Sequence, residues 1–128
     1  MATYSIELRK DISSVVATIS KEFSIQNDLP VFSRTVYDLF NQSNSPLYYI
    51  AVLSQLPLTF DELVMSTNAL VRGEYPFAAH PNFIAMLLVT SDDLLSMAAQ
   101  GMRSDSFGNV QVEIFARLDD AVSFIRSQ

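Results

Sequence analysis

Two unbroken apolar runs, Leu47–Leu53 and Phe83–Val89, constrain the fold of this chain more than any other feature. Each is seven residues long, the length of a strand and far short of the roughly 20 residues that a membrane-spanning helix needs. A strand without polar alternation has both faces covered, which is the condition of an inner strand of a parallel sheet carrying helices. The runs therefore predict two buried strands, over Leu47–Leu53 and Asn82–Thr90. Two shorter segments read differently. Thr3–Arg9 alternates, with Tyr4, Ile6 and Leu8 against Ser5, Glu7 and Arg9, as a half-buried strand does. Val15–Ser20 is short and rich in β-branched residues, and across the polar Lys10–Ser14 it forms a hairpin with the first strand.

Helix signals separate the strands. In Asn27-Asp28-Leu29-Pro30, Asp28 suits an N-cap and Pro30 the first turn, where its missing N–H costs nothing. Phe32, Val36, Leu39 and Phe40 follow at helical spacing, up to the turn-forming run Asn41–Pro46. Thr59-Phe60-Asp61-Glu62 matches a capping box, with an apolar face of Phe60, Leu63, Val64, Leu70 and Val71 behind it. Gly73 is placed to end that helix in the left-handed conformation. Glu74–Asn82, with Pro76 and Pro81, reads as a loop. Ser91 caps a third helix that runs to Gly101, with Asp92 and Asp93 at its positive end. Asn109–Ala116 alternates as a strand with Val110, Val112 and Ile114 on the drier side, and Leu118–Arg126 is an amphipathic helix. The order is β-β-α-β-α-β-α-β-α. It predicts a single α/β domain over residues 1–128, with a mixed sheet led by a hairpin and right-handed parallel crossovers.

Composition limits the chemistry. Eight basic residues against fourteen acidic ones give a net charge of −6, which is not the basic footprint of a nucleic-acid binder. The absence of cysteine removes zinc-cysteine sites, disulfides and thiol nucleophiles. His80 is the single histidine and reads as a loop residue rather than an acid-base group, because no orienting partner is identifiable. Asp92 with Asp93, and Asp119 with Asp120, are neighbours that diverge on a helix, so they read as helix-end charges and not metal clamps. No phosphate-binding glycine loop and no Gly-x-Ser-x-Gly elbow is present. Tyr48 and Tyr49 read as core and sheet-face residues. The methionines read as gap-fillers, or, for Met65, Met97 and Met102, as an adaptable apolar surface. These features predict no enzyme activity, no cofactor and no metal. Met1–Lys10 has no apolar secretory core, so the expected location is the cytoplasm, without a membrane span.

Three segments resemble the STAS-like (SpoIIAA-like) domains. Tyr48-Tyr49-Ile50-Ala51-Val52-Leu53-Ser54 is similar to the family's buried strand and the loop after it. Leu58-Thr59-Phe60-Asp61-Glu62-Leu63 is similar to the start of the following helix. Phe115-Ala116-Arg117-Leu118-Asp119-Asp120-Ala121-Val122-Ser123-Phe124-Ile125 is similar to the closing strand-to-helix junction. His80-Pro81-Asn82-Phe83 also resembles some bacterial members. The resemblance implies the SpoIIAA-like fold and a regulatory role through protein contacts. Anti-sigma-factor antagonists of the family carry an Asp-Ser-Ser-Gly type motif at this helix start, where a kinase phosphorylates a serine. Asp61 matches the aspartate, but the serine and the glycine have no counterpart here, so the phosphorylation switch does not carry over. Glu62 sets a permanent negative charge near that helix end, and the capping box already accounts for it.

Two functional expectations follow. The first is a non-enzymatic regulatory or interaction module that binds a protein partner, or a second copy of itself, through Ser54, Thr59, Phe60, Asp61 and Glu62 and the helix after them. Its acidic balance suits a partner with a basic face. The second is a binder of a small anionic or lipid-like ligand, in a pocket of Leu53, Phe60 and Phe77 near the helix starts at Thr59, Ser91 and Leu118. For self-association, Tyr37, Phe107 and Phe124 are the aromatic candidates.

Overall fold

The computed structural model describes residues 4–24, 26–53, 60–90 and 111–128, and of residues 60, 61, 63, 64 and 67 the backbone alone. Its elements are β1 (Tyr4–Arg9), β2 (Ser14–Ile19), α1 (Leu29–Gln42), β3 (Leu47–Val52), α2 (Phe60–Arg72), β4 (Phe83–Val89), β5 (Val112–Phe115) and α3 (Leu118–Arg126). The chain is an α/β protein whose five strands form one mixed sheet in the order β1-β2-β3-β4-β5. β1 pairs antiparallel with β2, and each later strand adds parallel to the one before it. The helix expected over Ser91–Gly101 and the strand start at Asn109 and Val110 lie outside the described residues.

The apolar runs become β3 and β4, and their burial on both sides divides the core in two. Val15, Ala17, Tyr49, Ala51, Met86, Leu88 and Val112 face Phe32, Val36 and Phe40 of α1, Leu70 of α2 and Phe77. Val16, Ile50, Leu87 and Val89 face the other way, against Ala121 and Ile125 of α3 and Ile12 of the hairpin turn. Ile50 and Leu87 are 0% exposed, and burying one such side chain is worth about 1.5–3 kcal/mol. The nine residues of α3 rise about 13 Å. That is close to the roughly 14 Å spanned by the three strand steps from β5 to β2, so one short helix reaches across the second face. Phe115, on the side of β5 expected to be wetter, meets α3 through the Phe124 ring, 5.4 Å away.

β4 carries an irregularity. Leu47 faces Phe83 but Tyr49 faces Met86, so β4 uses one more residue than β3 over this stretch. As a result Phe83 and Met86, an odd number of positions apart, both face α1. The hairpin turn is also specialised: Lys10–Ile12 forms a 3-10 turn and Ser13 takes a left-handed conformation, with φ 48°.

Three local expectations are corrected. The Asp28 carboxylate does not cap α1; its Oδ2 accepts the backbone N–H of Ser24 at 2.9 Å, which folds the preceding loop instead. Gly73 is not left-handed. Its constraint is close approach, because a Cβ there would lie 2.6 Å from the carbonyl oxygen of Ala69. Within the loop at Glu74–Asn82, a 3-10 turn over Phe77–Ala79 sends Phe77 into the core, 0% exposed. Its ring stacks on Phe40 at 6.2 Å and meets the edge of Tyr49 at 4.8 Å. Tyr49 is correspondingly buried, and burial raises its phenol above its ordinary titration range.

An ion-pair chain ties α3 to the hairpin. Asp11 takes Arg9 at 2.8 Å and Arg126 at 3.5 Å. The hydrogen bond from Arg9 holds the Asp11 carboxyl below its usual range, with the nearby charges of Arg9 and Arg126 adding to it. A lowered carboxyl contributes stability above its unfolded range and loses it as pH falls through its folded range. The melting-temperature gap between the wild type and Asp11→Asn is therefore expected at neutral pH and to close in acid. A gap that persists unchanged into strong acid would show that Asp11 acts other than through its charge.

Candidate functional site

Of the residues expected to bind a partner, Phe60, Asp61 and Glu62 open α2, the helix that follows β3 in the chain. Leu53 extends the β3 ladder by one bond, its N–H donating to the carbonyl of Val89 at 2.9 Å. Ser54 and Thr59 lie outside the described residues, so the threonine half of the capping box does too. Phe60 and Asp61 are the first two residues of α2. Glu62 follows, half-buried, and its carbonyl accepts the Ser66 hydroxyl at 2.8 Å. Further along the helix, Met65, Asn68 and Arg72 are exposed at spacings of three and four, which places them on one stripe. Met65 is 51% exposed, and Arg72 donates to Asn68 at 3.3 Å beside it. The expected site thus continues into an outward stripe with an apolar start and a polar end.

Of the pocket expected for a small ligand, Leu53 and Phe77 are described, while Thr59, Ser91 and the side chain of Phe60 lie outside the described residues. Phe77 fills the core between α1 and the sheet, and Leu53 is buried. In open α/β sheets the ligand crevice lies where neighbouring connections leave for opposite faces. Here β2, β3 and β4 are sequential neighbours, and α1 and α2 both cover the same face. From β2 to β4 the described helices therefore do not change face. At the start of α3, Asp119 and Asp120 place their own carboxylates in the first turn, as expected, so that helix end is already supplied with negative charge. A cleft of about 480 Å³ does exist, at the opposite end of the sheet. Leu8, Leu39 and Leu47 line it together with Lys10, Gln42 and Asn44.

His80 is held on both ring nitrogens. The N–H of Asn82 donates to Nδ1 at 3.0 Å, which leaves Nε2–H to donate to Oδ1 of Asn41 at 2.7 Å. The ring also meets Tyr37 edge-on at 5.2 Å. This is a structural histidine joining the end of α1 to the start of β4. Asn82, which the sequence marks only as the start of a strand, is the other half of the joint. Its amide donates to the carbonyls of Phe40 and Ser43, each at 3.1 Å, and its own carbonyl accepts the N–H of Leu47 at 2.7 Å. The polar run at the end of α1 and His80-Pro81-Asn82 both pointed to turns, but their pairing across about 40 residues leaves no local sequence signal.

Of the aromatic candidates for self-association, the two described ones lie on opposite faces of the sheet. Tyr37 sits on the α1 side beside Tyr75, Phe124 packs on Phe115 on the other face, and Phe107 lies outside the described residues. Among the described residues, no group of three or more histidine or carboxylate side chains is placed to hold a metal ion. Among them also, no helix is long and apolar enough to cross a membrane. Compared with protein-family models, curated proteins and solved structures, the chain matches none.

Each amide bond from Asn82 is worth about 0.5–1.5 kcal/mol net. Asn82→Ala is therefore expected to lower stability by about 1–3 kcal/mol in urea unfolding. Asn82→Asp, which keeps the shape but sets a carboxylate against two carbonyls, should lower it at least as much. An Asn82→Asp variant as stable as the wild type would remove the clamp from the account.

Proposed function

We propose that this chain is a non-enzymatic regulatory module of STAS-like type, acting in the cytoplasm, that binds a protein partner through the start of α2 and its outward stripe. The observation that carries this reading is Met65. It is a large apolar side chain, half exposed at the start of a stripe that begins one turn after Phe60-Asp61-Glu62. A flexible thioether in such a place suits an adaptable contact, and the net charge of −6 suits a partner with a basic face. The engagement of both His80 nitrogens supports a role without acid-base chemistry. The hairpin followed by parallel strands with intervening helices accords with the element order of STAS-like domains. Met65→Lys, and separately Phe60→Ala with Glu62→Lys, test it by affinity capture from native extract followed by titration of the captured protein. A central contact should cost about 2 kcal/mol or more, so each variant is expected to weaken binding at least about tenfold. Capture at wild-type affinity by both variants would reject this surface.

One observation favours a second reading, a binder of an apolar molecule with an acidic group. The cleft of about 480 Å³ is within the usual size of a ligand site. It sets three leucines beside the ammonium of Lys10. In this reading a medium-chain carboxylate such as decanoate raises the melting temperature by several degrees at saturation, and Lys10→Ala reduces the rise. A flat response up to the solubility limit would reject it.

A further inference from the structure

The outer edge of β1 ends the sheet. β1 has β2 on one side, and on its other side no strand of the described residues pairs with it. An open edge is ordinarily blunted by a proline, a bulge, charged side chains or a covering segment, and the charges of β1 are Glu7 and Arg9, the second of them paired with Asp11. β1 runs in unbroken register with β2 from Tyr4↔Ile19 to Arg9↔Ser14, and Tyr4–Arg9 contains no proline. Its outermost apolar side chain, Leu8, is 37% exposed. The residues Tyr4-Ser5-Ile6-Glu7-Leu8 alternate apolar and polar symmetrically about Ile6.

That symmetry selects a partner. In an antiparallel pair, residues directly opposite each other share a face. Two copies of one strand related by a two-fold axis must therefore have a residue facing itself, and two centres allow five residues of overlap within β1. Centred on Glu7, the two Glu7 carboxylates face each other, which is destabilising. That register also sets Arg9 opposite Ser5, although Arg9 is already held by Asp11 at 2.8 Å. Centred on Ile6, Ile6 meets Ile6, Tyr4 meets Leu8 of the second copy, and Ser5 meets Glu7 of the second copy, a hydroxyl donor against a carboxylate acceptor. This register leaves Arg9 with Asp11 and opposes no like charges. We infer that β1 pairs antiparallel with β1 of a second copy of this chain, about a two-fold axis at Ile6, and joins two sheets into one. The axis stands normal to the sheet, so α1 of both copies lies on the same side. The edge is separate from the α2 stripe, so the two surfaces stand or fall independently.

Light scattering of the full chain after size exclusion, over a range of concentrations, gives the first readout, and twice the 14.3 kDa chain mass is expected at the upper end. Charge substitutions at exposed Ser5 then identify the surface. Ser5→Glu sets two carboxylates opposite Glu7 at both symmetry-related positions and should raise the dimer dissociation constant roughly tenfold. Ser5→Lys should lower it and make it salt-sensitive, and Glu7→Lys added to Ser5→Glu should restore dimerisation. Far-UV circular dichroism checks that each variant keeps its fold. Because the chain has no cysteine, single substitutions report register: Ile6→Cys is expected to close a disulfide across the axis, while Ser5→Cys and Glu7→Cys, each facing a different residue, are not. A chain that stays at its single mass throughout would overturn the proposal. So would a dimer indifferent to Ser5→Glu, or one that cross-links through Glu7→Cys and not through Ile6→Cys.

Discussion

Covering β3 and β4 on both sides is the constraint on which the rest of this structure depends. Their side chains alternate between two apolar layers, so neither strand can lie at a surface. One layer is closed by α1, α2 and Phe77, the other by α3 and Ile12. The two closures differ in kind. The α1 side is a broad aromatic packing in which Phe32, Phe40, Tyr49 and Phe77 meet ring to ring. The α3 side is aliphatic at its centre, with Phe115 and Phe124 at its margin, and among the described residues it is closed by the short α3, tied at its far end by Arg126 to Asp11. Removing the first closure would expose several rings at once; removing the second would uncover Ile50 and Leu87.

The polar contacts serve this packing at the places where the chain enters and leaves it. Asn82 and His80 hold the end of α1 against the start of β4, so that Phe40 and Phe83 come within 5.9 Å. Ser14 is fully buried at the start of β2 and spends its hydroxyl on the carbonyl of Ile12 at 2.9 Å, within its own turn. Both arrangements follow from the cost of leaving a buried donor or acceptor without a partner.

Much of this architecture is legible in the residues. The two apolar runs, the alternation of Thr3–Arg9 and the helical spacing of Phe32, Val36 and Phe40 are local patterns, and each element forms within one or two residues of where they place it. The misreadings have a common cause. Asp28 is a good cap in isolation, but the Ser24 N–H competes for its carboxylate and wins. Gly73 satisfies a helix-stop rule, but tight contact with Ala69 decides its role. Phe77 looks available in a proline-bounded loop, and a 3-10 turn carries it into the core. In each case a contact made by the folded chain overrides a local preference. The candidate site divides in the same way: the placement of Phe60, Asp61 and Glu62 at a helix start follows from the capping pattern. The exposure of Met65 depends on how α2 lies on the sheet, which no window of the sequence encodes.

The extra residue in β4 has a further consequence. Four parallel strands of similar apolar character could pair in several alignments that differ by two positions, each keeping the same side chains inward. The irregularity near Phe83 breaks that degeneracy. With it, Phe83 and Met86 face α1 together in one alignment; in any slipped one the additional residue would oppose a regular stretch of β3 and turn part of β4 inside out. It works as a notch that lets the two innermost strands engage in a single setting, and it narrows the search the chain must make before its core can close.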